Sequence, residues 1–165
     1  MILKPEDSRS FEYCYYYGKS LVSRTIECFT WGHISHVAIR NPYEAYVVEA
    51  WQPTVQRVAD ISFNHTERTR VDVYALDLTP QQFDVGVAWL DQQVGRLYDF
   101  RGVLSFLLRR NIGTSGAWFC SELGLALSQI VGKPLLCCPP FKATPTVLSY
   151  SPVQRFVGTE YTEKP

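Results

Sequence analysis

The chain has 165 residues, a length that fits one globular domain spanning 1–165. Hydrophobic residues make up 46% and charged residues 19%, enough apolar surface for a core and too little charge for a disordered body. Sixteen basic residues balance sixteen acidic ones, so nothing is left over to neutralise phosphates and no nucleic-acid partner is expected.

In chain order, residues 1–10 read as a tail. Lys4, Glu6, Asp7 and Arg9 break the apolar run that a signal peptide needs, so the chain is expected to be cytoplasmic as synthesised. Later delivery by a secretion machine or a virion stays open. Residues 18–29 predict a helix with Leu21, Val22, Ile26 and Phe29 on one face. A strand is expected at 35–40, a turn at Asn41-Pro42-Tyr43-Glu44, and further strands at 45–51, 54–58 and 70–76, giving a four-stranded antiparallel meander.

Thr79-Pro80 is a helix start, a hydroxyl cap followed by proline at the first helical position. Phe83, Val87, Leu90 and Val94 recur at helical spacing and Gly95 ends the run. Another helix is expected at 101–110. The Gly113-Thr114-Ser115-Gly116 loop leads into a helix at 120–131, closed by Gly132. Five prolines make the remainder mostly loop, with a helical turn near Thr146, a strand at 153–157 and a tail at 159–165. The sum is an α+β fold, an antiparallel sheet packed with helices. The longest apolar runs, such as 103–108, fall far short of the about 20 residues a membrane span needs, so no integral membrane segment is expected.

Cysteines stand at 14, 28, 120, 137 and 138, without zinc-binding spacing. No metal and no cofactor are expected, and most of these thiols read as small buried hydrophobes.

Two features carry chemistry. If the four-residue loop 41–44 joins the first two meander strands, Arg40 faces Ala45 and His36 falls directly opposite Glu49. A carboxylate there would fix the tautomer of the imidazole and stabilise its protonated form, as a catalytic base requires. A surface His–Glu pair is the alternative, and a one-residue slip would separate the two. The second feature is Cys120, which follows a glycine-bearing loop and opens an apolar-periodic helix. The unpaired N–H groups at such an end favour a thiolate and can bind an oxyanion. A buried structural cysteine is the alternative. His33 is a second candidate base, better read as a loop residue. His65, in the polar Asn64-His65-Thr66-Glu67 run, reads as solvent-facing. Trp31, Trp51 and Trp118 flank these elements and can line a cleft or pack in the core.

Ser35-His36-Val37-Ala38-Ile39, Val47-Val48-Glu49-Ala50, Tyr98-Asp99 and Trp118-Phe119-Cys120-Ser121-Glu122-Leu123 together resemble the permuted NlpC-type enzymes of the YiiX-like group. That group is a branch of the papain-like superfamily, related in architecture to lecithin retinol acyltransferase-like proteins. The resemblance runs from about Ser20 to Pro145 and includes the order in which the histidine strand precedes the cysteine helix. It implies a circularly permuted papain-like (NlpC-like) fold and a cysteine peptidase or amidase acting through an acyl-enzyme. Cys120 would be the nucleophile, His36 the base, Glu49 the residue orienting it, and Tyr98 a tyrosine near the nucleophile. Trp51, Trp118 and Ser121 are the candidate substrate contacts. The implied substrate is a peptide or acyl-amide, peptidoglycan-derived by analogy. A lipid-directed acyl hydrolase or acyltransferase, or a catalytically idle binding module, are the competing readings. The stretch 10–18 lacks the Gly-Asp step with which many members open.

Overall fold

The computed structural model describes residues 8–18, 32–99 and 116–163. The helices expected at 18–29 and 101–110, together with Cys28 and Trp31, lie outside the described residues. The elements are β1 (Arg9–Tyr17), β2 (His36–Asn41), β3 (Tyr46–Ala50), β4 (Val55–Val58), β5 (Arg70–Leu78), α1 (Pro80–Gln93), α2 (Cys120–Ile130), α3 (Pro145–Ser149) and β6 (Arg155–Tyr161). A short 3₁₀ turn, Pro140–Lys142, precedes α3.

The strands form one antiparallel sheet in the order β4-β3-β2-β1-β5-β6. The expected meander is therefore split. β2, β3 and β4 follow one another by hairpins, but β5 returns to the far side of β1. Arg9 and Ser10, expected in a tail, belong to that central strand, and Thr159 to β6. The segment Phe11-Glu12-Tyr13-Cys14-Tyr15-Tyr16-Tyr17 is a strand because both its faces are buried. Phe11, Tyr13 and Tyr15 point to one cluster and Cys14 and Tyr16 to another, so the usual apolar–polar alternation is missing.

The first cluster is the main core. Val37 and Ile39 of β2, Val48 and Ala50 of β3 and Leu76 and Leu78 of β5 meet Phe83 and Leu90 of α1 and Cys120, Leu123 and Leu127 of α2. Thr79 caps α1 as the sequence predicts, its hydroxyl accepting from Gln82 N–H at 3.2 Å while Gln82 Oε1 accepts from Thr79 N–H at 3.0 Å. Tyr13 donates its hydroxyl to Gly124 O at 2.9 Å, tying α2 to the central strand. A Cβ at Gly124 would lie 3.3 Å from both Tyr13 Cε1 and Leu148 Cδ2, so those side chains would have to give by a few tenths of an ångström.

The opposite face is concave. Arg40 of β2 donates to Glu160 of β6 at 2.9 and 2.7 Å, although β1 and β5 lie between those strands, and also to Glu12 at 2.6 Å. The sheet thus rolls around a small cluster of Cys14, Tyr16, Ala38, Val47, Val58, Ile61, Val71 and Val73. No helix among the described residues is long and apolar enough to cross a membrane.

Candidate functional site

The hairpin that carries His36 and Glu49 turns one residue later than expected on each strand. Asn41 Oδ1 accepts from the N–H groups of Tyr43 at 3.0 Å and Glu44 at 3.4 Å, so the turn begins at Asn41 and keeps it in the ladder. The pairs are Asn41–Tyr46, Arg40–Val47 and Ile39–Val48. Continued outward, this register sets Glu49 across from Ala38 and His36 across from Trp51. Direct opposition of His36 and Glu49 is corrected to a diagonal. Because the slip is two residues, both side chains keep the same face, and His36 Nε2 lies 2.9 Å from Glu49 Oε2.

A third group completes this cluster. His65, expected to face solvent, is folded in with a side chain only 7% exposed, and its Nε2 lies 3.1 Å from the same Glu49 Oε2. The loop after β4 carries it there. Asn64 donates to Glu49 Oε1 at 2.6 Å, and Tyr16 stacks on the His65 ring with centroids 3.8 Å apart. Trp51 closes the cluster edge-on, 5.1 Å from His36 and 4.9 Å from His65. In the sequence the only trace of this was two chemically rich residues, Asn64 and His65, in a polar run.

The electrostatics assign the protons. Burial alone would raise the Glu49 carboxyl, but the hydrogen bonds from His36 and His65 hold it well below the usual carboxylate range, so it is ionised. Burial lowers His36, against the pull of Glu49, so that ring is neutral at neutral pH. An ionised carboxylate only accepts. Both imidazoles therefore donate Nε2–H to Oε2, and the lone pair of neutral His36 sits on Nδ1. His36, Glu49 and His65 can each offer a ligand atom within 4.8 Å of the others, the one group among the described residues that meets this test for a metal ion.

Cys120 opens α2 and is buried. Its sulfur is faced by the backbone N–H groups of Val37, Ser121 and Cys120 itself, which favour the thiolate. Burial outweighs them and pushes the thiol up to about 12, with the Glu122 carboxylate adding to the rise. Val37 follows His36 directly, pairs with Tyr15 of β1 and lies beyond the three pairs of the β2–β3 ladder. No hydrogen bond joins Cys120 Sγ to the ring of His36. The structure thus brings His36 to Glu49, and brings Cys120 to the amide next along the chain from His36.

The other expected site residues divide. Tyr98 packs against Phe119, the residue before Cys120, with centroids 6.0 Å apart; burial raises its phenol and a charge on Cys120 raises it further. Trp51 lines the histidine cluster. Trp118 turns elsewhere, donating Nε1–H to Gln93 Oε1 at 3.1 Å and packing edge-on against Trp89. Ser121 is fully buried and gives its hydroxyl to Ala143 O at 2.5 Å, so it fastens α2 to the following loop instead of facing a substrate. His33 is exposed, and Cys14 lies buried in the small cluster, pushed up to about 12 by burial.

No protein-family model matches the chain, and no curated protein matches it. The class it falls in is defined by fold: a six-stranded antiparallel sheet flanked by helices, known from solved structures. One of these is the metalloprotein yiiX of Escherichia coli O157:H7 (DUF1105), which superposes with a TM-score of 0.70 at 17% identity, over 94% of this chain and 99% of that one. The likeness establishes a YiiX-like fold.

Proposed function

We propose that this chain is a cysteine hydrolase of circularly permuted papain-like architecture, a single domain that cleaves amide bonds through an acyl-enzyme on Cys120. The observation that carries the reading is the His36–Glu49 hydrogen bond at 2.9 Å, one peptide unit away from the Val37 amide that faces the Cys120 sulfur. Glu49 holds His36 in the Nε2–H form, so Nδ1 is the atom that accepts a proton. The thiol rests protonated. His36 removes its proton as the sulfur attacks the carbonyl carbon, and the developing oxyanion is taken by the N–H groups at the start of α2, with Tyr98 as the assisting phenol. The amine leaves with the proton from His36, and water, deprotonated by the same ring, resolves the thioester. A peptide or cell-wall peptide substrate is favoured by the resemblance in sequence, and Trp51 is the aromatic wall it would meet.

The test is labelling by an electrophilic acyl-amide probe, with the modified residue located by mass spectrometry. Cys120→Ala should abolish turnover and labelling while keeping the native circular dichroism. His36→Ala should slow labelling about 100-fold or more, and Glu49→Gln less than that. Full labelling of the Cys120→Ala protein at another residue would end the proposal.

A further inference from the structure

We infer that His36, Glu49 and His65 form a binding site for a divalent transition-metal ion of the zinc type. Two imidazoles and one carboxylate are a donor set that holds zinc in many enzymes. Ligands at normal zinc distances in a tetrahedron lie about 3.3 Å apart. The two nitrogens here stand 2.9 and 3.1 Å from Glu49 Oε2, and all three donor atoms lie within 4.8 Å of one another, so one ion can reach them together.

The surroundings supply what such a site needs. Glu49 is 1% exposed, and its ion-pair partners among the described residues are the two imidazoles alone, with no lysine or arginine. A buried carboxylate without a fixed cation favours the entry of one. Asn64 grips the other carboxylate oxygen, and Tyr16 and Trp51 fix the planes of the rings, so the donors are oriented by outer groups before any ion arrives. On binding, each ring presents its Nε2 lone pair to the metal, and the ring proton of His36 moves from Nε2 to Nδ1. That shift occupies the Nδ1 lone pair of His36, so the bound ion and base catalysis by His36 exclude each other.

The site stands apart from the hydrolase reading because it can be read in a protein that lacks the thiol. Chelator-treated wild type and Cys120→Ala are titrated with Co²⁺ and followed by visible absorption, then challenged with Zn²⁺. One Co²⁺ per chain, with the intense d–d bands of low coordination, displaced by Zn²⁺ and equal in both proteins, is the expected result. His65→Asn and Glu49→Gln should each weaken binding at least tenfold. Should a variant fail to fold, the thermal midpoint of the Cys120→Ala protein still decides, since Zn²⁺ must raise it. No Co²⁺ binding, binding unchanged in His65→Asn, a thiolate charge-transfer band lost in Cys120→Ala, or a midpoint indifferent to Zn²⁺ would each overturn the assignment.

Discussion

Glu122 meets two opposing demands at the start of α2. Its carboxylate accepts from Phe119 N–H at 3.0 Å, closing the end of the helix, and its charge stands against a thiolate at Cys120. A glutamine keeps the acceptor and removes the charge. Glu122→Gln should therefore move the pH midpoint of Cys120 alkylation by iodoacetamide downward from its high resting position, with the helix content unchanged; an unmoved or higher midpoint would show that Glu122 does not act on the thiol. At this scale the sequence was a partial guide. His36, Glu49 and Cys120 could be read because a hairpin and a helix start are local features. The turn was misplaced by one residue per strand, since the decisive acceptor, Asn41 Oδ1, competes with the Pro42 and Glu44 signals that follow it. His65 could not be read at all. Its burial depends on where the loop after β4 lands, and that is set by Tyr16 and Glu49, distant in sequence.

Elements reveal a different balance between local preference and packing. Gly86 sits within α1, where alanine ordinarily gains about 1 kcal/mol. A Cβ there would lie 2.5 Å from Phe11 Cε2 and 3.0 Å from Val131 Cγ1. Phe11 is fully buried and stacked on Phe83 with centroids 4.5 Å apart, so its ring has nowhere to go. Gly86→Ala should thus destabilise the protein by about 1–2 kcal/mol in urea unfolding, the overpacking cost exceeding the helical gain. Thr79→Ala, which removes the α1 cap, should cost about 1 kcal/mol by the same measurement. The helix start at Thr79 was legible because its cap is written in adjacent residues, and that at Cys120 because a glycine-bearing loop gives way to an apolar-periodic run. β1 was not, because a strand buried on both faces shows no period, and neither was the return of β5 to β1, which no local signal encodes.

For the molecule as a whole, acid is the informative perturbation. Asp72 on β5 is buried, which alone would raise it, yet bonds from Thr159 of β6, Arg70 and Tyr17 of β1 leave it below its ordinary 3.8. The folded state then binds fewer protons than the unfolded one. The stability from this junction is complete above pH 3.8 and is lost as pH falls through the lower folded value. Thermal midpoints should hold steady from pH 7 to about 5 and drop below about 4. Asp72→Asn should be less stable at pH 7 and flatter in that acid range, and an unchanged acid slope would remove Asp72 from the account. β1, β5 and β6 meet at this one carboxylate, and the Arg40 clamp ties β2 to β1 and β6 from the inside of the roll.

The clamp has a consequence for the order in which the fold can be completed. Glu160, which holds Arg40, and Thr162, which accepts from Arg68 N–H at 2.8 Å through its carbonyl, are supplied by the last described strand and the residues just after it. On the ribosome, every other strand among the described residues emerges before the piece that latches them. A nascent chain stalled before Arg155 presents the outer edge of β5 unpaired and the small concave cluster open along one side, an invitation to chaperones or to a neighbouring chain. Emergence of β6 is thus the moment at which the roll can shut.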